Sequence, residues 1–239
     1  MVASETPEMT FTANDWLCYF QKNRYQRLTI PWERGIVAEP SLRRPLIHSL
    51  QRFQVGEQGD GLHLRKGAAR IADPDYIDAI DLFIKEEQEH SRLLAKIIES
   101  MGGSLLAYHW SDICFIFLRR LLRLRLELLV LLVAEIIAQA YYKILYDGTP
   151  DIVLRSVFGQ ILHDEQGHVA FHRAYLRQSF AKISPLQRQL LYRSWQLFYM
   201  FVCLVVIYDH RAVFRAIGVT PPMVWVHCMQ TFHDAHIFH

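Results

Sequence analysis

Apolar residues recur at steps of three and four along most of this chain, and no segment alternates apolar and polar residues as a strand would. Between residues 41 and 72, for example, Leu46, Leu50 and Phe53 fall on one face of a helix. The pattern therefore predicts an all-α protein.

Prolines and glycines separate the helical stretches from one another. Pro74 and Pro185 stand where a helix begins, and Gly102 follows a stretch that ends near Met101. The predicted helices cover residues 41–72, 74–101, 111–146, 151–180 and 185–218, and a short segment follows Pro222.

The length of 239 residues suits a single domain spanning 1–239. We predict an irregular N-terminal segment over residues 1–40, which contain Pro7, Pro31 and Pro40. Residues 41–180 are expected to form a four-helix core, and residues 181–239 an additional C-terminal helix and a tail.

Composition excludes several classes of protein. With 51% hydrophobic residues the chain can bury a large core, which excludes a disordered protein. A net charge of +2 is too small for a protein that coats nucleic acid. The longest uncharged apolar run, residues 195–208, is too short to span a bilayer and suits a buried helix or one lying against lipid.

Two features favour a cytoplasmic protein. The N-terminal residues have no basic start and no apolar run, unlike a signal peptide. The four cysteines, Cys18, Cys114, Cys203 and Cys228, are far apart in the sequence, and we expect them to be reduced.

The candidate chemistry lies in a Glu-x-x-His motif that occurs twice, at residues 87–90 and 165–168. Three residues are nearly one helical turn, so both side chains of each motif project from the same face and can bind one metal ion. Chance alone could produce one such pair in a chain with 12 histidines.

Two further glutamates turn these motifs into an internal repeat. Glu57 precedes Glu87 by 30 residues (87 − 57), and Glu135 precedes Glu165 by 30 residues (165 − 135). A proline-containing break lies within each interval, so each pair is predicted to be level on two antiparallel helices. Four carboxylates and two imidazoles would then meet at one depth of a helical bundle.

Glu135 is the less certain member, because Glu127 lies on the same predicted helix. Glu135 is surrounded by apolar residues, where an isolated carboxylate must be protonated, paired or bound to metal. Glu127 lies four residues after Arg123, suits an ordinary ion pair and breaks the 30-residue match. We therefore favour Glu135; the alternative is a metal-free bundle with buried acids.

Neighbouring residues could support such a site. Asp164 and Glu86 each precede a motif glutamate and could accept the free N–H of the histidine in the opposite motif. Gln139, Tyr142 and His172 lie one or two turns from a candidate ligand and would either face the site or simply pack in the core.

Glycines close to these acids have two interpretations. Gly61 is expected inside the first helix, and Gly167 lies within the second motif. They could clear room for a substrate or for O2, or they could allow close contact between helices. Gly56 and Gly59 share this interpretation.

These motifs resemble the ferritin-like di-iron carboxylate superfamily, and within it the compact stand-alone oxygenases and oxidases, including aldehyde-deformylating oxygenases. The resemblance covers about residues 45–180 and rests on Gly56-Glu57-Gln58, residues 87–90, the apolar Glu135 helix and Asp164 to His168. It implies a ferritin-like four-helix bundle. The metal ligands that it implies are Glu57, Glu87, His90, Glu135, Glu165 and His168.

The resemblance also implies a reaction class. The expected protein is an O2-activating non-haem di-iron oxidoreductase that uses two iron ions, or a manganese and an iron ion, and oxidises a small or carrier-bound organic substrate. Electrons would come from an external reductase or ferredoxin. The alternatives are a ferroxidase that handles iron and a metal-free, membrane-associated helical bundle.

The remaining charged clusters suggest partners. Arg119, Arg120, Arg123 and Arg125 form either a solvated helix end or a docking patch for an anionic partner or lipid. The C-terminal His233, His236 and His239 are expected to be a frayed tail. No partner nucleic acid is expected, and both peripheral membrane contact and a homodimer stay open.

Overall fold

The fold was obtained as a computed structural model, which describes residues 11–110, 117, 122 and 124–235. Within this part of the chain all regular structure is helical and no strand occurs, so the all-α prediction is confirmed. The helices are α1 (Ala13–Tyr25), α2 (Pro40–Glu57), α3 (Leu62–Ala69), α4 (Pro74–Ser100), α5 (Leu124–Gly148), α6 (Ile152–Phe180), α7 (Pro185–Asp209), α8 (Arg211–Ala216) and α9 (Pro221–Asp234). A 3-10 turn at Trp32–Arg34 lies between α1 and α2.

Helices begin where the sequence supplies a cap. Asp73 accepts a hydrogen bond from the backbone N–H of Tyr76 at the start of α4, and Asp151 accepts one from Leu154 at the start of α6. Ser184 forms a capping box with Gln187 at the start of α7. These local signals explain why the predicted and observed starts agree closely.

Helices α2 and α4 form an antiparallel pair. The Arg43 guanidinium donates to the backbone carbonyl of Met101 near one end, and Gln54 donates to Ser91 nearer the other. As residue numbers rise along α2 they fall along α4, which brings Glu57 level with the middle of α4. The apolar faces of the pair are buried in the core.

Helices α5 and α6 form the second antiparallel pair. Gln139 donates to the backbone carbonyl of Glu165, and Arg155 donates to that of Tyr146 near the connecting turn. Helix α6 also packs against α4 and joins the two pairs. The candidate site lies among these four helices.

The N-terminal segment is not irregular throughout, because α1 occupies residues 13–25. Thr12 and Asp15 form a capping box, and Trp16, Phe20 and Asn23 lie on one buried face. The helix packs on α4. The prediction of an irregular segment over residues 1–40 is therefore wrong here, because this short helix is stabilised by docking on α4 rather than by a long apolar stripe.

The first predicted helix, 41–72, is broken into two. Helix α2 ends at Glu57, and Gly61 precedes α3 as its N-cap in a left-handed conformation with a φ of +65°. Gly61 is therefore not inside a helix. The apolar periodicity led us to expect it there, so that expectation is wrong.

The predicted helix over residues 185–218 is also interrupted. Helix α7 ends at Asp209, and α8 begins at Arg211 after the buried His210. The predicted start of the third helix, residues 111–123, lies largely outside the described residues, as do Arg119, Arg120 and Arg123.

Within the described part of the chain, two helices are long and apolar enough to cross a membrane by length and composition alone. They differ in burial: the most apolar 18 residues of α5 are 83% buried within the protein, whereas those of α7 are only 17% buried. Helix α5 is thus a core helix. Helix α7 lies on the outside, so of the two alternatives for residues 195–208 the buried helix is wrong.

Candidate metal centre

The two antiparallel pairs bring the six predicted ligand residues together. Helix α2 supplies Glu57, α4 supplies Glu87 and His90, α5 supplies Glu135, and α6 supplies Glu165 and His168. They form two groups whose ligand atoms lie within 4.8 Å of one another: Glu57, Glu87 and His90 in one, and Glu87, Glu135, Glu165 and His168 in the other. Either group could hold a metal ion.

The two imidazoles face the same carboxylates. Nδ1 of His168 lies 2.9 Å from a Glu87 oxygen, 3.4 Å from a Glu135 oxygen and 3.6 Å from a Glu165 oxygen. Nδ1 of His90 lies 3.4 Å from Glu165 and 3.7 Å from Glu87. Glu87 and Glu165 therefore each lie close to both imidazoles, and Glu87 is the residue common to the two groups.

Several inward-facing atoms are buried without a hydrogen bond of acceptable geometry. They are Nδ1 of His90, Nδ1 of His168, one oxygen of Glu87 and one of Glu165. Buried polar atoms normally have partners, because an unpaired one costs about 1–3 kcal/mol. Lone pairs of this kind, converging from carboxylates and imidazoles, are a donor set that fits Fe(II) or Mn(II).

The electrostatics of the cluster also favour bound cations. Burial raises the pKa of Glu57 and of Glu135 well above the ordinary value, and the nearby charge of Glu87 raises each further. Burial opposes protonation of His90, but contacts with Asp164 and Glu165 raise its pKa to about 9. Protons held in this way are the ones that a metal would displace.

The outer nitrogen of each histidine is held by an acid from the opposite motif. Nε2 of His90 donates to Asp164 at 3.0 Å, and Nε2 of His168 donates to Glu86 at 3.0 Å. The predicted cross-pairing is present. Because a carboxylate can only accept, it keeps a proton on Nε2, so Nδ1 is the nitrogen that would present a lone pair to the cluster once its own proton is displaced.

A second ring of polar side chains holds these acids. Asn23 donates to both Glu86 (2.8 Å) and Asp164 (2.9 Å), Gln160 donates to Asp164 (2.9 Å), and Arg27 lies 2.7 Å from Asp164. Burial alone would raise the pKa of Asp164, but His90 and then Arg27 lower it to about 2. The carboxylate is therefore ionised and remains an acceptor.

Sequence reasoning missed Asn23, Arg27 and Gln160. The first two lie on or just after α1, which we expected to be irregular, so nothing in the sequence connects them to residues more than 60 positions away. Gln160 precedes Asp164 by one helical turn, and this spacing was a usable signal.

The other predicted neighbours of the site have different roles. The Gln139 amide donates a hydrogen bond to the backbone carbonyl of Glu165. His172 is fully buried, packs edge-on against Phe83 and belongs to neither group of ligands. Tyr142 is fully buried, and burial followed by the charge of Glu57 raises the pKa of its phenol.

Two of the four glycines near the site do not provide room beside the metal position. A Cβ at Gly61 would collide with Ile84, and one at Gly167 would collide with Tyr19 of α1. The interpretation as close packing is therefore correct for these two, and the cavity interpretation is wrong. Gly56 and Gly59 have open space where a side chain would project.

Glu127 is buried but lies apart from the cluster. It is 2.9 Å from Nδ1 of the half-exposed His63 on α3, and Arg123, its predicted partner, lies outside the described residues. Glu135 is the glutamate of α5 that joins the ligand group, as the 30-residue spacing predicts.

No family model matches this chain, and the comparisons with curated proteins and with solved structures also gave no match. The case for a function therefore rests on the six side chains and on the residues that hold them.

Proposed function

We propose that this protein is an O2-activating non-haem di-iron oxidoreductase of ferritin-like fold that oxidises a small or carrier-bound organic substrate. The observation that carries the proposal is the shared position of Glu87 and Glu165 between the inward nitrogens of His90 and His168. Two imidazoles on opposite sides of two carboxylates are poorly placed to bind a single ion together. The same arrangement supplies one imidazole to each of two ions.

In this proposal Glu57, Glu87 and His90 would hold one ion, and Glu87, Glu135, Glu165 and His168 would hold the other. Six ligands leave coordination positions open on two ions, as a catalytic site needs. Two ferrous ions, or a manganese and an iron ion, would supply the electrons that reduce O2, and an external donor would return them.

The chain itself contributes orientation and a dry environment. Asp164 and Glu86 hold the imidazoles by Nε2, so Nδ1 cannot turn away from the ions. Phe83 lies edge-on to His168 at a ring-centroid distance of 4.7 Å. The ring centroid of Phe20 lies 6.2 Å from that of His168. These rings exclude water from one side of the cluster and strengthen every charge interaction inside it.

Metal analysis of protein loaded without oxygen tests the proposal directly. We expect two iron or manganese ions per chain, and a transient visible absorption band when O2 is added. Glu135→Gln should hold at most one ion. Glu127→Gln, a buried carboxylate on the same helix outside the cluster, is the matched control and should keep two.

Protein that binds no metal, and that folds equally well as Glu135→Ala, would contradict the proposal and favour a metal-free bundle. Equal metal loss in Glu127→Gln and Glu135→Gln would also contradict it, because the loss would then reflect the fold rather than the ligands.

A ferroxidase is the second candidate, and the close packing at Gly61 and Gly167 favours it. Ile84 and Tyr19 fill the space where we expected a substrate, and Glu87 is the ligand whose side chain retains most exposure, 17%. Excess ferrous iron with O2 distinguishes the two: a ferroxidase turns over many ions per chain, whereas an oxygenase needs an organic substrate for repeated turnover.

A further inference from the structure

Helix α7 presents an apolar face to solvent. Six large side chains on it are each more than half exposed: Leu186, Leu190, Leu197, Phe201, Leu204 and Tyr208. Their spacing of three, four and seven residues puts them on one side of the helix. Soluble proteins rarely expose so many large apolar side chains together unless the patch contacts a partner.

The opposite side of α7 is fixed to the protein. Trp195, Tyr199 and Cys203 are buried at four-residue steps. The Trp195 indole donates to the backbone carbonyl of Leu129 in α5, and the Tyr199 hydroxyl donates to that of Cys228 in α9. The helix is thus anchored along one side, and its outward face cannot turn into the core.

The exposed face is broad. No charged residue occurs between Arg193 and Asp209, and the half-buried Phe198, Val202 and Val205 lie beside the main stripe. Helix α9, which packs against α7, also carries exposed apolar side chains, Met223 and Val226. When helices of two protein copies pair, the apolar stripe between them is narrower than this face, and charged residues along both sides of the stripe set its register. No charged residues line the sides of the α7 face.

Charge is concentrated at the ends of the face. Residues 182–215 contain five Lys or Arg and one Asp, a net charge of +4, whereas the whole chain carries +2, so the remainder carries −2. Arg193, Arg211 and Arg215 are exposed, and the Arg211 guanidinium lies 4.2 Å from the Tyr208 ring centroid. Basic residues and an aromatic ring at the margins of an apolar helix suit the headgroup region of a bilayer.

We propose that the apolar face of α7, defined by its six exposed side chains, docks in the plane of an anionic lipid bilayer. Helix α7 lies parallel to the surface rather than across the bilayer, because α5 and α9 cover its inner side. The apolar side chains enter the acyl region, and the flanking arginines bind anionic headgroups. This inference does not depend on the metal site.

Flotation of the full-length protein with phosphatidylcholine vesicles, prepared with and without phosphatidylglycerol, tests the proposal. We expect binding that is strengthened by phosphatidylglycerol. The triple variant Leu197→Gln/Phe201→Gln/Leu204→Gln should bind at least about tenfold more weakly, because polar amides then replace apolar side chains that would enter the acyl region. Arg193→Gln/Arg211→Gln should lose about tenfold of the binding to anionic vesicles only.

Tyr25→Gln/Val37→Gln is the matched control, because both side chains are exposed and apolar but lie far from α7 in the sequence. It should bind vesicles as the unmodified chain does. Failure of the unmodified chain to float with anionic vesicles overturns the proposal. Light scattering tests the alternative that a second copy covers the face. A dimer that the triple variant converts to a monomer, with no vesicle binding by either protein, would assign the face to a second copy instead.

Discussion

Asp164 of α6 accepts a hydrogen bond from Nε2 of His90 on α4 at 3.0 Å, so the acid beside one Glu-x-x-His motif orients the histidine of the other. Glu86 and His168 repeat the relationship in the opposite direction. Each motif is therefore incomplete without its counterpart, and the centre depends on the contact between α4 and α6.

Asp164→Asn should weaken metal binding. The amide can still accept from His90, but it lacks the negative charge that makes Nδ1 a stronger ligand, and changes of this kind typically cost 10–100-fold in affinity. Competition with a chelator measures the loss. Asp147→Asn, which disturbs only an exposed ion pair with Lys143, is the control; equal affinities in the two variants would contradict the orienting role.

Asn23→Ala should destabilise the protein by about 1–3 kcal/mol, because two buried carboxylates lose a donor at once. Chemical denaturation measures the free energy of unfolding. Asn14→Ala, on the exposed side of α1, should change it by less than about 0.5 kcal/mol. Similar losses for both variants would show that α1 contributes only its helix and not this bond.

Gly61→Ala should destabilise the fold by about 2 kcal/mol or more. The residue has a left-handed φ of +65°, and a methyl group there meets Ile84. Gly59→Ala has open space and no such backbone constraint, so it should be neutral or stabilise by up to about 1 kcal/mol. Thermal unfolding of both variants measures these changes in stability. If Gly61→Ala were as stable as the unmodified protein, the packing role of Gly61 would be refuted.

His210 should make stability depend on pH. Burial, followed by the charge of Arg52, lowers its pKa to about 3, and its Nδ1 lies 2.6 Å from the Ser49 hydroxyl. Below pH 6.5 the unfolded chain binds a proton that the folded chain excludes. Stability is therefore lost as pH falls from about 6.5 towards 3, by about 1.4 kcal/mol per pH unit.

His210→Asn removes this titration and keeps an acceptor for Ser49. Its loss of stability between pH 6.5 and 4.5 should be smaller than that of the unmodified protein by about 2 kcal/mol, as measured by denaturation at both pH values. His48→Asn, at an exposed position of α2, serves as the control. Parallel pH profiles for His210→Asn and the unmodified chain would show that this histidine is not the cause.

The convergence of the six candidate ligands could be predicted because it depends on helical repetition alone. A fixed rise per residue makes two 30-residue intervals equivalent, and the three-residue step in each motif puts a carboxylate and an imidazole on one face. Glu135 could be preferred to Glu127 for the same reason, although both are buried.

The sequence by itself determined the helical class, most helix starts and the residues that meet in the cluster, because periodicity and capping are local properties. Only the tertiary structure showed that α1 carries Asn23 to the acids behind the histidines, that Gly61 divides a continuous apolar pattern, and that α7 stays outside. Those outcomes depend on contacts between distant residues, whose energies no local pattern records.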